Sequence, residues 1–231
     1  MKGLLKITLT ALLFSFILIS CDKDGNEIED EKILTERIED IIPKQYLDTL
    51  KKLDFVIHSG VKPPTVEGKF AIKPNILDTS NIASDRPGHR FQDAKIELSG
   101  QNNKDFSILL YGENFIHNRD TSITTAISGT DNKFTIYGKV KSTVGSTSAI
   151  IGMIISAELG NDGNIKNCKT GIIMIDDSKA GGNFISNGQA RIAFDSDFIS
   201  ERIGDSKSKA KTIGNNRVPL SNRLLETSGL E

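Results

Sequence analysis

The order of hydrophobic and polar positions divides the chain into segments of different character. An apolar run broken only by Thr and Ser covers residues 7–19, and a strongly acidic run follows at 22–31. Hydrophobic residues recur at helical spacing over residues 32–53. From about residue 63, short β-prone runs alternate with clusters of Gly, Asn and Asp. The pattern predicts an apolar N-terminal segment, a short helical segment and then a mainly β domain.

The helical segment, which we assign to residues 32–62, is divided by Pro43. Because Pro is accommodated in the first turn of a helix but not in its interior, the spacing predicts two short helices that meet near this residue. Their apolar stripes are wide enough to pack against another layer of the protein. The first stripe comprises Ile33, Leu34, Ile38, Ile41 and Ile42, and the second comprises Tyr46, Leu47, Leu50 and Leu53.

The β region holds about eight strands. Alternation is clear at 133–141, where Phe134 and Ile136 share one face and Thr135 and Lys139 share the other. This is the pattern of a sheet with one buried face and one solvated face. Successive antiparallel strands with short turns predict an up-and-down barrel or a sandwich over residues 63–203. The runs lie near 68–74, 93–99, 105–112, 121–129, 132–141, 148–158, 165–176 and 189–194.

The C-terminal residues give a weaker pattern. Residues 200–203 predict a helical turn, and residues 204–217 are rich in Gly, Ser, Lys and Asn, which is typical of a loop. Leu220, Leu224 and Leu225 predict one short helix near the end. We therefore treat residues 204–231 as an irregular tail that follows the β domain.

The composition excludes some classes of function. Among 231 residues the chain has 29 basic and 30 acidic side chains, so no basic excess points to a nucleic-acid partner. It has no Trp, which counts against a stacking platform for sugars. The length suits one domain with appended ends.

The N-terminal run has the parts of a secretory signal. Lys2 and Lys6 make its start basic, the apolar run is shorter than the roughly 20 residues of a spanning helix, and a small residue precedes Cys21. The sequence LISC at 18–21 resembles the lipobox of bacterial lipoproteins. The resemblance implies removal of residues 1–20 as a signal peptide, diacylglyceryl attachment to the Cys21 thiol and acylation of the new amine. The alternative is an ordinary secretory signal with a Cys at this position.

The acidic run at 21–31 predicts a solvated tether, because it holds six acids and almost no apolar surface to bury. It also resembles the acidic export signal that follows the lipidated cysteine in surface-exposed lipoproteins of certain Gram-negative anaerobes. That resemblance implies an outer-membrane lipoprotein that faces the cell exterior, with the membrane as its partner through the lipid anchor. A plain acidic linker is the alternative.

The β region carries a further resemblance. A group of uncharacterised bacterial surface lipoproteins with lipocalin-like barrels is similar to this chain in four short segments: PPTVEGKF at 63–70, ISG at 127–129, KFTIY at 133–137 and GQARI at 188–192. Gly68-Lys69-Phe70 is similar to the Gly-x-Trp motif of the first lipocalin strand, with Phe in place of Trp. The resemblance covers most of residues 32–203 and implies a mainly β fold, a lipocalin-like barrel of about eight strands. No functional residue carries over from it.

No residue pattern in the β domain points to catalysis or to a bound metal. Cys168 has no partner if Cys21 carries lipid, and with no base evident nearby it is interpreted as a small, buried strand residue. Asp195 and Asp197 stand at alternate positions but lack the Gly of a calcium loop. The three histidines lack the local spacing of a zinc site, and they are His58, His89 and His117. The chain therefore predicts a non-enzymatic protein without a cofactor.

Two classes of function follow from this interpretation. A barrel of about eight strands can hold one small ligand, so the first hypothesis is the binding of a small or apolar ligand in a cavity open at one end. The predicted lining consists of inward residues of the middle strands: Phe106, Ile108, Leu110, Ile136 and Ile154. The second hypothesis is a structural, interaction or accessory protein of the outer membrane, with a filled core and a protein partner that the sequence does not identify. An enzyme is the least favoured class.

Overall fold

The computed structural model describes residues 23–116, 120–204 and 220–221 of the chain. Two helices come first, α1 at Lys23–Ile41 and α2 at Lys44–Lys52, and they meet at Pro43 as predicted. Ten strands follow among these residues, so the fold is mainly β, as the sequence predicts. The strands are β1 Gly68–Ile72, β2 Asn75–Ser80, β3 Ala94–Asn102, β4 Ser107–Glu113, β5 Asp120–Thr130, β6 Lys133–Val144, β7 Thr147–Leu159, β8 Ile165–Lys179, β9 Ala190–Asp195 and β10 Ile199–Ser200.

The strands form two antiparallel sheets. The smaller sheet contains β1, β3 and β4, and the larger sheet contains β2 and β5 to β10. A short pairing between β4 and β5 joins them, so the described strands follow the order β1-β3-β4-β5-β6-β7-β8-β9-β2, with β10 on β8. From β3 to β9 each strand pairs with the next one in the chain, which is the up-and-down arrangement that the short turns predict.

The two ends of this strand order approach each other through the segment after β10. β10 pairs with β8, and Arg202 forms an isolated bridge with Phe70 of β1. The amide of Ala71 also donates to the carbonyl of Glu201 at 2.9 Å. Within the described residues, however, the end strands β1 and β2 do not pair with each other, and the sheets are not closed into a barrel. The lipocalin-like barrel therefore stays a prediction.

Two elements differ from the sequence prediction. β2 forms at Asn75–Ser80, where the sequence predicts no strand, because its backbone pairs with β9 and its Leu77 side chain is buried. The predicted helical turn at 200–203 is wrong, because these residues extend along β8 and β1 instead. The predicted loop and C-terminal helix lie outside the described residues, apart from 204 and 220–221.

One hydrophobic cluster draws side chains from both sheets and forms the interior. Phe134, Ile136 and Val140 of β6 all belong to it, which confirms the predicted face of this strand. Cys168 of β8 belongs to it as well, as a free and buried thiol. Its large aromatic members are at most 1% exposed, and they are Phe70, Phe91, Phe115, Phe134 and Phe184. We refer to this set as the interior cluster.

A second hydrophobic cluster lies on the other face of the larger sheet, beneath the helices. Leu34 of α1 and Leu50 of α2 pack there against strand residues that include Tyr137. The sheet and α2 are in van der Waals contact at Gly171, where an added Cβ would lie 3.4 Å from Leu50 Cδ2. The sequence predicts one buried and one solvated face, and this is wrong for the central strands because the helices cover the second face.

Helix α1 begins at Lys23, whereas the sequence predicts a solvated tether up to residue 31. Acidic side chains near a helix N-terminus interact favourably with the helix dipole, so an acid-rich run can be helical. Glu27 also pairs with Lys62 at 3.1 Å, which ties this part of α1 to the connector before β1. The predicted signal peptide and Cys21 lie outside the described residues. In the part of the chain that the structure describes, neither helix has the length and apolar character needed to cross a membrane.

A charged pair is buried at the interior cluster. Arg191 of β9 donates through Nε to Asp85 Oδ2 at 2.7 Å and through Nη2 to Asp85 Oδ1 at 2.9 Å. Nη1 of Arg191 donates to the Leu220 carbonyl at 2.6 Å, and the guanidinium lies 5.6 Å from the centre of the Phe91 ring. Both charged side chains are 1% exposed. The pair joins β9 to the loop after β2 and to Leu220.

We expect Asp85→Ala to destabilise the fold by about 3–5 kcal/mol, because the buried Arg191 charge loses its carboxylate partner. Asp93→Ala is the matched control, since Asp93 pairs with Arg90 at an exposed site and such a pair is worth at most about 1 kcal/mol. Urea unfolding of both variants measures the two losses in the free energy of unfolding. Small and equal losses would show that the buried pair does not hold this loop.

Candidate functional site

The two sheets meet along an incompletely paired seam between β4 and β5. These strands pair at Tyr111 with Thr121 and at Gly112 with Asp120. At the other end of the seam, the Ile127 amide donates to the Phe106 carbonyl at 2.8 Å. Between these points no ladder pairing joins residues 107–110 to residues 122–125, all of which the structure describes. The sheet is therefore open over a few residues.

A threonine side chain spans the middle of this seam. Thr125 Oγ1 accepts a hydrogen bond from the Ile108 amide at 3.3 Å and donates to the Ile108 carbonyl. A side chain thus takes the place that a backbone amide and carbonyl would have in a regular antiparallel pair. Because the hydroxyl lies between the two backbones, it keeps β4 and β5 apart at this point.

A β-bulge on β5 explains why the strands separate. The pairing of β5 with β6 shifts register between Ser122 and Thr124, so Ile123 is the additional residue. A bulge bends its strand and increases the local twist, which directs β5 away from β4. Ile123 is left 62% exposed.

The opening is a cleft of about 430 Å³. This volume lies within the range of small-molecule sites in proteins. The cleft is mainly apolar, with Leu109 and Ile123 exposed at its rim and Leu110 buried within it. β3 contributes Glu97 and Ser99 to its lining, β4 contributes residues 108–111, and β5 contributes Ser122, Ile123 and Thr125.

The cleft contains a buried hydroxyl without a partner. Ser122 Oγ is inaccessible to solvent and has no hydrogen-bond partner among the described residues. An added Cβ at Gly138 would lie 2.7 Å from this oxygen, so the glycine provides the space that the serine side chain occupies. Glu97 brings a negative charge to the lining, and Lys69 lies 3.6 Å from its carboxylate. The arrangement can hold an apolar molecule, and it can offer that molecule one hydrogen bond if the Ser122 side chain rotates to bring its hydroxyl from Gly138 to the cleft.

Two of the five predicted lining residues lie at the cleft. Ile108 and Leu110 line it and also belong to the interior cluster, whereas Ile136 belongs to that cluster without lining the cleft. Phe106 and Ile154 lie beneath the helices instead of facing the interior as predicted. Phe106 precedes β4 with a φ of 57°, which breaks the alternation. Both faces of β7 are buried around Ile154, so alternation could not assign its face.

Sequence reasoning missed Leu109, Ser122 and Ile123. Leu109 stands on the outward face of β4, between Ser107 and Tyr111 along that face, and alternation in the sequence puts Ile123 on one face with Thr121 and Thr125. An apolar side chain on an otherwise polar strand face is a signal of an exposed binding surface. The sequence contains this signal, but it does not show the β5 bulge that brings these residues together.

A second cleft, of about 340 Å³, lies at the β5–β6 turn and is lined by His58 and residues 130–133, among others. Burial and the neighbouring Lys133 charge lower the pKa of His58. Its ring is therefore neutral at pH 7, while its backbone amide donates to Thr135 Oγ1 at 2.8 Å. This cleft does not offer the paired cations that would favour an anionic ligand.

Asp195, Ser200 and Cys168 form a buried polar group where β8, β9 and β10 meet. Ser200 Oγ donates to Asp195 Oδ2 at 2.7 Å, and the Lys73 amide donates to the same oxygen at 3.2 Å. Burial raises the pKa of Asp195 to about 6, against the opposing hydrogen bond from Ser200. Burial likewise raises the pKa of the Cys168 thiol to about 12, so the thiol stays protonated at neutral pH. All three side chains are buried, and the group is structural.

We expect Asp195→Asn to remove a pH dependence of stability. Because the folded-state pKa of about 6 lies above the ordinary value of 3.8, the Asp195 proton contributes stability that is complete below about pH 4 and is lost as the pH rises through about 6. Across this window the free energy of unfolding of the wild type should fall relative to that of the variant by on the order of 2 kcal/mol.

Urea unfolding at steps from about pH 4 to about pH 7 measures this difference. Asp162→Asn is the control of opposite sign, since the hydrogen bond from Lys166 lowers the pKa of this exposed carboxyl. A difference between wild type and Asp195→Asn that stays constant with pH would show that the Asp195 carboxyl does not titrate in this range.

In the described part of the chain, no group of three or more His, Cys, Asp or Glu side chains is placed to hold a metal ion. Comparisons of the chain with protein-family models, with curated proteins and with solved structures found no match. The function must therefore be inferred from the residues of this chain.

Proposed function

We propose that the protein is a non-enzymatic, lipid-anchored cell-surface protein that binds a small, mainly apolar molecule in the cleft between β4 and β5. The observation that carries this proposal is an apolar cleft of about 430 Å³ that is lined in part by Ser122, whose buried hydroxyl has no partner among the described residues. An apolar ligand would cover Leu109, Leu110 and Ile123, and one polar atom of the ligand would pair with the Ser122 hydroxyl once that side chain rotates toward the cleft. Leaving a buried hydroxyl unpaired costs about 1–3 kcal/mol, which such a ligand would recover.

The cleft supports ligand binding better than the interior does. Ile108, Leu110 and Ile136 are 1%, 3% and 0% exposed and pack with the other members of the interior cluster. Protein interiors are packed as densely as organic crystals, so a ligand placed there would have to displace side chains. The seam provides space at the surface without such a rearrangement.

We further propose that the two sheets act as one lipocalin-like barrel, closed through the residues after β10. The Ala71 amide donates to the Glu201 carbonyl at 2.9 Å, and the Ile203 amide donates to the Lys69 carbonyl at 2.8 Å, so residues 201–203 lie beside β1. β10 pairs with β8 immediately before them. Closure of this kind covers the edge of β1 and protects a protein outside the cell from edge-to-edge association.

We expect Ile123→Asp to weaken the binding of an apolar fluorescent probe, N-phenyl-1-naphthylamine, by about tenfold or more, because it replaces an apolar contact with a charge. Val56→Asp is the matched control, since Val56 is 55% exposed and lies outside the cleft. Fluorescence titration of the purified proteins gives the dissociation constants. Equal affinity in the wild type and in Ile123→Asp would exclude the cleft as the binding site.

The same fluorescence titration also tests the role of the Ser122 hydroxyl, with the variant Ser122→Ala. Ser122→Ala removes the hydroxyl and adds no bulk, so it should weaken the binding of 1-naphthol by about threefold to tenfold and leave the binding of naphthalene unchanged. A loss of affinity for both compounds would indicate a change in cleft shape, and the hydrogen bond proposed for Ser122 would then be wrong.

The proposed anchor is Cys21. Cells supplied with labelled palmitate should label the full chain, and Cys21→Ala should abolish the label, because the diacylglyceryl group needs this thiol. Cys168→Ala should keep the label, since Cys168 is buried in the fold. Two or three acyl chains bind a membrane far more firmly than one.

A chain that resists protease on intact cells, but is cut after the outer membrane is opened, would contradict the outward-facing location.

The second candidate function is an interaction or accessory protein of the outer membrane. The exposed apolar side chains of Leu109, Tyr111 and Ile123 favour it, because they lie together around the seam. Crosslinking on intact cells should then capture a protein neighbour that is lost in Ile123→Asp, while the wild type fails to bind any of the three naphthyl compounds. That combination would identify a protein-binding surface in place of a ligand site.

A further inference from the structure

We propose that Arg37 of helix α1 is a positioning residue that sets the separation of β4 and β5 and so the width of the cleft. The consequence for ligand binding rests on the proposed function. The contacts of Arg37 exist without a ligand, so they can be tested independently of it.

Arg37 contacts both sides of the seam. Its Nε donates to the Thr125 carbonyl of β5 at 2.8 Å. Its Nη1 lies 4.0 Å from Asp105 Oδ2, on the turn that leads into β4. One guanidinium, whose side chain is 29% exposed, therefore bridges the strand on one side of the cleft and the turn on the other. The first contact is a hydrogen bond, and the second is an ion pair, so Arg37 uses the donor geometry of its guanidinium on one side of the seam and its charge on the other.

On the β5 side, Arg37 holds the residue that spans the seam. Thr125 is the residue whose hydroxyl bonds to both backbone groups of Ile108. Its side chain is thus fixed toward β4, while its carbonyl is fixed toward α1. If the bond from Arg37 is lost, the Thr125 backbone gains freedom to move, and the hydroxyl can no longer keep the strands at a constant separation.

On the β4 side, Arg37 holds a turn that is itself well defined. Asp105 Oδ1 accepts the Ser107 hydroxyl at 2.7 Å and the Ser107 amide at 3.1 Å. The Ser107 hydroxyl, and to a lesser extent the Arg37 charge, lower the pKa of Asp105, so the carboxylate is ionised at neutral pH. Phe106, next in the chain, is buried beneath the helices. The start of β4 therefore packs against the helices through Phe106.

The position of Arg37 on α1 is fixed by packing. Leu34 and Ile41, three residues before it and four residues after it, are buried in the cluster beneath the helices. Residues at this spacing share one face of a helix, so the base of Arg37 lies between two anchored side chains. A shift of α1, the first described element after the predicted lipid anchor, would consequently be transmitted to both edges of the cleft.

Amide hydrogen exchange of the full chain tests this proposal directly. The reporters are the amides of Ile108 and Ile127, which donate across the seam to Thr125 Oγ1 and to the Phe106 carbonyl. In Arg37→Ala both amides should exchange at least about fivefold faster, while the amides of β6 and β7 keep their rates. Unchanged reporter rates, or an equal increase throughout β6 and β7, would overturn the proposal.

Two further variants serve as controls in the exchange experiment. Lys32→Ala is the matched control, because Lys32 is an exposed basic residue of the same helix whose partner, Glu36, lies 3.9 Å away. It should leave both reporter amides unchanged. Arg37→Lys keeps the charge but not the forked donor geometry, so its exchange rates should fall between those of the wild type and Arg37→Ala.

Probe binding separates this proposal from the proposed function. Arg37→Ala should bind N-phenyl-1-naphthylamine about threefold or more weakly, because a cleft of undefined width must be ordered on binding. If the reporter amides respond but the wild type binds no probe, the positioning role stands and the ligand site is wrong. If the probe binds and is lost in Ile123→Asp, but Arg37→Ala leaves the amides unchanged, the ligand site stands and the positioning role is wrong.

Discussion

The fold depends on burying both faces of its central strands. Neighbouring residues of one strand belong to different clusters, as with Ile136 and Tyr137 in β6 or Ile154 and Ile155 in β7. Each such side chain stabilises the fold by about 1.5–3 kcal/mol if it is removed from water. One face obtains this burial from the smaller sheet, and the other obtains it from α1 and α2. The helices are therefore part of the core of the β domain and not an appended spacer.

This constraint also determines where the fold is weakly paired. β4 alternates between buried and outward side chains, as expected for a strand with one covered face, whereas β6 and β7 are buried on both faces through their middle. β5 lies at the transition, between the helical layer and the smaller sheet. Its bulge at Ile123 and the side chain of Thr125 accommodate the change. The cleft is thus a consequence of where double coverage ends.

The sequence predicts those features that depend on local periodicity. The two helices around Pro43, most of the strands and the inward face of β6 were predicted, because spacing along the chain carries this information. The face of Ile154 was not, because a strand buried on both sides shows no alternation. β2 was not predicted because its strand character comes from pairing with β9, far away in the sequence. The cleft between β4 and β5 was not predicted, although Ile108 and Leu110 of the predicted interior cavity lie at it, because the contact that opens it joins residues of two different strands.

The buried polar groups distinguish the structural parts of the fold from the candidate site. Asp85 and Arg191 satisfy each other across the interior, and Asp195 accepts from Ser200 and Lys73 where the strand order turns back. Hydrophobic burial is not directional, so it cannot by itself fix how these loops and strand ends are arranged. Directional bonds supply that information, and each of these groups has partners within the chain. Ser122 differs from these groups in its place, because it lines the cleft while its buried hydroxyl has no partner among the described residues. Buried polar atoms without a partner occur elsewhere among the described residues as well, such as Ser142 Oγ and Asp195 Oδ1, so it is the position of Ser122 at an apolar cleft, and not the missing hydrogen bond alone, that distinguishes it.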